Sequence, residues 1–183
     1  SSIVNNGDVI RKINFPKYVI VLASSVSALI NLGLNFIIIA IFMVINDVTI
    51  TWSAPLVLVY IIELFALGLG LAFILSALFV KLRDVNYIWE IVMQALFYGS
   101  AVIYPIAMVI EQNAFLAKLI LLNPIAQAIQ DARHVLIDST TPTLFSLTNS
   151  IWISLIPIAI VVLTIVFGAL YFKRRSPHFA EEV

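Results

Sequence analysis

Cysteine is absent from the 183 residues, and charge is scarce, at 11% of the chain. An ordinary soluble domain carries about 25% charged residues. The missing cysteines exclude disulfides, thiolate zinc sites and cysteine nucleophiles. Ten basic residues balance ten acidic ones, so the basic excess of a nucleic-acid binder is missing too. No G-x-x-x-x-G-K-[ST], H-E-x-x-H or G-x-S-x-G occurs, which removes a P-loop nucleotide site and the commonest hydrolase signatures. What is abundant is apolar: 62% of residues are hydrophobic and the mean hydropathy is +1.10. Disorder needs the opposite composition. A soluble enzyme of this length could not hide so much apolar surface. The composition is that of an integral membrane protein.

A bilayer core about 30 Å thick needs roughly 20 apolar residues per helix. Four stretches meet that length: 18–45 and 151–172 without charge, 56–80 with Glu63 alone, and 86–110 with Glu90 alone. The expected fold is an all-α integral membrane protein of four transmembrane helices, in one domain over 1–183. Arg11, Lys12, Lys17, Lys81, Arg83, Lys173, Arg174 and Arg175 then fall on one side, leaving Lys118 and Arg133 on the other. The positive-inside rule makes the first side cytoplasmic, with both chain ends there. Tyr87, Trp89, Trp52, Trp152 and Tyr171 near the span ends fit an aromatic belt.

Two segments outside the spans carry pattern. At the start, 1–17, Asn5, Asn6 or Asp8 can cap a short helix with Val9, Ile10 and Ile13 on one face and Arg11 and Lys12 solvated; Pro16 stops it. The opening residues do not resemble a signal peptide, and the chain reads as a fragment or truncated form. The external segment 111–150 predicts two short helices, 114–122 and 125–137, about Asn123-Pro124. Its second helix has Ile125, Ile129, Ala132 and Leu136 on an apolar face and Gln127, Gln130, Asp131 and His134 on a polar one. Such a hairpin is either re-entrant or surface-lying.

Candidate chemistry is thin. Asp131 and His134 stand three apart, but no nucleophile is near in sequence; His134 reads as a polar-face residue and His178 as a tail residue. Ser100 follows Gly99 but lacks the second glycine of an intramembrane serine-protease motif. The chain is therefore expected not to be an enzyme and to hold no metal. Polar residues within the spans are more informative. Ser24, Ser27, Ala28, Asn31 and Asn35 share a stripe on the first span, and Gly68, Ala72 and Ser76, with Ala66 and Gly70 beside them, form a small-residue stripe on the second. Such stripes let helices pack closely. On the third, Tyr87, Glu90, Gln94, Phe97, Ala101 and Tyr104 align, with Tyr98 at the margin. Glu90 and Gln94 face either a partner helix or a wet path rather than lipid. Glu63 lies 11 residues after Trp52, or about 16 Å in, near the midplane. It reads as a protonated carboxyl hydrogen-bonded to Asn35, with a proton or ion site as the alternative.

The ordered set of pieces resembles the membrane subunit of ABC-2 type exporters of polysaccharides and polyol phosphates, the O-antigen (lipopolysaccharide), capsule and teichoic acid permeases. Ser2 to Lys17 is similar to that family's first cytoplasmic loop. Arg83-Asp84-Val85-Asn86-Tyr87-Ile88 is similar to its second, leading into Tyr104-Pro105-Ile106. Asn123-Pro124 followed by Arg133 resembles its external gate, and Arg175 to Glu182 its C-terminal tail. The family has six spans, so the resemblance implies that an N-terminal part precedes the four found here. It implies a permease homodimer in a bacterial inner membrane, paired with ATP-binding cassette subunits that hold ATP and magnesium, none of which would sit on this chain. Asp8, Val9, Ile10, Arg11, Lys12, Ile13, Phe15 and Pro16 would form the coupling helix. Tyr87, Glu90, Gln94, Phe97, Tyr98 and Tyr104 would line the path of a lipid-linked glycan, and Asn123, Pro124 and Arg133 would shape the external gate. The alternatives are an ABC-type exporter of drugs or small lipophiles, and a non-transport membrane scaffold or membrane-embedded transferase.

Overall fold

The computed structural model describes residues 17–49, 51–82 and 84–178. The expected coupling stretch, Asp8 to Pro16, lies outside the described residues, as do Arg83 and the tail beyond His178. All regular structure among the described residues is helical: α1 Lys17–Ile45, a 3-10 turn Ala54–Leu56, α2 Val57–Lys81, α3 Val85–Gly99, α4 Ile106–Gln112, α5 Ala114–Leu121, α6 Pro124–Leu136, α7 Leu144–Thr148, α8 Ile151–Arg175 and a 3-10 turn Ser176–His178.

Three of these are long and apolar enough to cross a membrane: Tyr18–Ile45, Ala54–Val80 and Ile151–Arg175. Their surfaces expose Ile30, Leu34, Ile38, Phe42, Leu58, Ile62, Leu163 and Phe167. Such a surface is stable against hydrocarbon and costly in water. The hydroxyls on α1 are satisfied within the helix: Ser24 donates to the Ile20 and Val21 carbonyls, Ser25 to Val21 and Ser27 to Ala23.

The expected span 86–110 is not one continuous helix. Helix α3 stops at Gly99 after 15 residues, a rise of about 22 Å, short of the hydrocarbon thickness. The cause is local. Ser100 Oγ donates back to the Leu96 carbonyl at 2.6 Å. Ala101 turns left-handed, with φ 50°. Pro105 has no N–H to continue a helix and disfavours helical backbone at Tyr104. It adopts extended backbone, φ −71° and ψ 133°, as the N-cap of α4.

The chain forms two units. The first takes the described residues of Ser1–Ile37, Phe65–Ile91 and Val162–Val183. Its core is Val21, Phe73, Ala77, Val80 and Phe172, with the Phe73 and Phe172 rings 5.2 Å apart and tilted by 55°. Here α2 and α8 touch backbone to backbone. A Cβ at Gly70 would lie 2.8 Å from Ile165 Cα, and one at Gly168 would strike the Gly70 carbonyl oxygen. Of the expected small-residue stripe, Ser76 is buried, Ala72 packs on this core and Gly70 makes the close contact, whereas a Cβ at Gly68 would meet nothing within 4 Å.

The second unit takes Ile38–Leu64 and Val92–Val161. Its core is Ala101, Ile106, Ala117, Leu121, Ala126 and Leu144. The two short helices expected about Asn123-Pro124 are present as α5 and α6, and their boundaries follow from caps. Asn113 Oδ1 accepts from the Phe115 and Leu116 N–H groups, starting α5. Asn123 Oδ1 accepts from Ile125 N–H, and Pro124 follows at the first helical position, where its missing N–H costs nothing. Thr143 and Ser146 form a capping box for α7, and Asn149 closes it in the left-handed region at φ 48°.

Candidate functional site

The site is the opened end of α3 and the helix that closes over it. Breaking a helix frees backbone carbonyls, and buried carbonyls need donors. Ala101 is fully buried in this break. Helix α6 brings the donors. Arg133 Nη1 lies 3.2 Å from the Ala101 carbonyl and Nη2 lies 3.0 Å from the Val102 carbonyl. The planar fork of the guanidinium spans both. Gln130 Nε2 reaches the same Ala101 carbonyl at 3.5 Å, a long contact. Asn123 Nδ2 donates to Ser100 Oγ at 3.2 Å while its Oδ1 caps α6. One asparagine therefore fixes both the start of α6 and the break in front of it.

On the polar face of α6, Gln127 and Gln130 are 5% and 1% exposed, while Asp131 and His134 are half-buried. Ile125, Ile129, Ala132 and Leu136 of the apolar face are half-buried as well. Gln130 turns inward because the carbonyls of the break are inside and need donors.

The remaining polar groups of α6 form a second cluster. Gln127 Nε2 donates to Asp131 Oδ2. His134 Nδ1 lies 2.9 Å from the Thr141 carbonyl; a carbonyl only accepts, so Nδ1 carries the hydrogen. Burial pushes the Asp131 carboxyl up from its ordinary value, against the pull of the Gln127 hydrogen bond and of His134. Asp138 is exposed and moves the other way: the Thr140 hydroxyl and N–H both donate to it and hold it below the ordinary carboxylate range.

Of the expected gate residues, Asn123 and Arg133 converge on the break directly, and Pro124 is buried at the start of α6. The expected path residues are divided by it. Tyr87, Glu90, Gln94, Phe97 and Tyr98 are exposed on α3, with the Phe97 and Tyr98 rings edge-on at 5.7 Å. Glu90 Oε1 is 3.5 Å from Asn86 Nδ2. Tyr104 lies beyond the break, and its hydroxyl returns 2.9 Å to the Tyr98 carbonyl. Among the intramembrane polar residues, Asn35 Nδ2 donates to the Asn31 carbonyl at 2.8 Å, and Glu63 Oε1 is buried without a hydrogen-bond partner.

Sequence reasoning missed Ser100, Ala101, Val102 and Gln127 as members of the site. The signal for the first three was Gly99-Ser100 and Tyr104-Pro105 inside an apolar run; for Gln127 it was a glutamine among alanines. Among the described residues no group of three or more His, Asp or Glu could hold a metal ion. No family model, curated protein or solved structure matches the chain.

Proposed function

We propose that the chain is part of the membrane-spanning subunit of an ATP-driven exporter that moves a lipid-linked polysaccharide or polyol phosphate across a bacterial cytoplasmic membrane. The observation that carries the reading is the closure of α6 over the broken end of α3 through Asn123 and Arg133. A short helix that stops inside an apolar run, capped by a hairpin on its own polar contacts, is the kind of element that can open without unfolding the spans. Broken backbone at membrane depth is tolerated only where protein buries it or a cavity lies beside it.

In this reading α3 and the segment through α4 together make a broken fourth crossing, which keeps both chain ends on the cytoplasmic side and puts α5 to α7 on the external side as the gate. The exposed Tyr87, Phe97 and Tyr98, with Glu90 and Gln94 between them, supply ring faces and hydrogen-bonding groups for sugars along α3. Two copies of the permease pair with ATP-binding cassette subunits, which carry ATP and magnesium, and residues 8–16 are the coupling element.

The test is reconstitution of the chain with candidate ATP-binding cassette subunits. The expected result is ATP-dependent appearance of a lipid-linked glycan on the far face of vesicles, lost in Asp substitutions at Val9, Ile10 and Ile13. Failure to associate with any ATP-binding subunit overturns the reading.

A further inference from the structure

The second unit contains a cavity of about 340 Å³ that the closure of α3 does not use. It lies among the first turn of α2, the polar edge of α6 and the start of α8, with Tyr60, Gln127, Asp131, His134, Phe145 and Ser154 in its wall. Its wall includes no lysine or arginine. The hydrogen-bonding inventory is lopsided. Asp131 is a carboxylate to which, among the described residues, Gln127 Nε2 is the side-chain donor. Gln127 is 5% exposed, and its Oε1 has no hydrogen-bond partner. Because His134 Nδ1 carries its hydrogen toward Thr141, Nε2 is the ring nitrogen left for a ligand. Ser154 Oγ spends its proton on the Ser150 carbonyl at 3.1 Å, leaving its lone pairs free. Thr51, Ser53, Tyr60, Ser139 and Thr143 bring only neutral hydroxyls to the wall, so among the described residues no lysine or arginine answers the Asp131 carboxylate there.

A bare metal ion does not fit this description. The volume is that of a small-molecule pocket, at the low end of the usual range, and the wall carries one carboxylate rather than the several a divalent ion requires. A primary ammonium supplies the missing counter-charge, with three N–H donors on a compact head for the Asp131, Gln127 and His134 acceptors. The Tyr60 and Phe145 rings add apolar faces that tolerate a cation. We propose that this cavity binds the primary ammonium group of a small organic amine, with Asp131 as its counter-ion and Gln127 and His134 as further acceptors. The inference stands on the cavity alone and does not rest on the transport reading.

The probe is ethanolamine, measured against its neutral isostere ethylene glycol on the full chain in phosphatidylcholine nanodiscs. Saturable ethanolamine binding at least tenfold tighter than ethylene glycol is expected, weakened at least tenfold in Asp131→Asn and in the cavity-filling Ser154→Phe. Tryptophan fluorescence checks that both variants fold. If neither folds, the wild-type chain decides: ethanolamine stays charged in acid while Asp131 takes up a proton, so binding must weaken as pH falls. Absence of saturable binding, equal affinity for ethylene glycol, or pH-independent binding overturns the proposal. Nanodiscs with phosphatidylethanolamine separate two sources of the same chemistry. Competition by that lipid identifies a headgroup as the amine, and its absence identifies a soluble one.

Discussion

Arg133 donates to the carbonyl of Ala101, a buried residue held at φ 50°. Left-handed backbone costs an L-residue about 1–2 kcal/mol, and it persists only where its surroundings hold it. Here the guanidinium holds two successive carbonyls, those of Ala101 and Val102. The chain thus stores a turn at the end of α3 and fastens it from 31 to 32 residues further along the sequence.

The first prediction concerns that fastening. Hydrogen bonds to a charged donor are worth about 1.5–3 kcal/mol each, and their loss leaves buried acceptors bare. Arg133→Ala is expected to destabilise the second unit by about 2–4 kcal/mol, and Arg133→Lys by nearly as much, since an ammonium cannot match the fork. Amide hydrogen exchange across 99–110 is the measurement. Protection unchanged in both variants would remove Arg133 from the account.

How much of this was readable in the sequence varies by element. The hairpin was, because Asn113 and Asn123-Pro124 are start signals that act within a few residues. The break at 99–105 carried its own signal in Tyr104-Pro105, but counting apolar residues over 86–110 reads through a proline. The inward face of α6 was not readable from α6. Gln130 and Arg133 turn in to answer carbonyls at 101 and 102, and a periodicity rule written for water assigns such residues outward. The helix crossing at Gly70 likewise depends on Gly168, far along the chain. Spacing alone favoured the neighbouring stripe through Gly68.

That crossing supplies the second prediction. Gly70→Ala or Gly168→Ala forces α2 and α8 apart, because the atoms in the way are backbone. The expected cost is about 1–3 kcal/mol, as for overpacking elsewhere. Gly68→Ala meets open space and is expected to be neutral or to stabilise by up to about 1 kcal/mol through helix propensity. Thermal unfolding of the three variants in one detergent compares them. Equal effects at 68 and 70 would count against the crossing.

The third prediction is a pH dependence from Asp131. Its folded carboxyl is raised above the ordinary value of 3.8 by burial. The folded state therefore holds the proton more tightly than the unfolded state. The stability this contributes is fully present below the unfolded value and is lost as pH rises through the raised folded one. Asp131→Asn keeps an acceptor for Gln127 and removes the titration. In amine-free buffer the variant should gain on the wild type as pH rises from about 4 to 7. A gap that is constant across that window would show that burial does not perturb Asp131.

The fourth prediction tests where the hairpin lies, and the missing cysteines make it clean. Any introduced thiol is the sole one on the chain. Gln112 and Ser139 are exposed and polar, on either side of α5 and α6. In the proposed topology, cysteines there react with an impermeant maleimide added outside intact cells. Phe115 and Leu119 are 67% and 47% exposed on α5, yet apolar. An apolar face of that kind needs lipid or a partner subunit against it, so cysteines at 115 and 119 should react several-fold more slowly than at 112 and 139. Ala117 and Leu121 are fully buried, so cysteines there should react only after unfolding. Comparable rates at 112, 115, 119 and 139 would place the hairpin in water and end the re-entrant reading. Labelling at 112 and 139 from the cytoplasmic side alone would invert the chain, and the gate assigned to Asn123 and Arg133 would then face the wrong compartment.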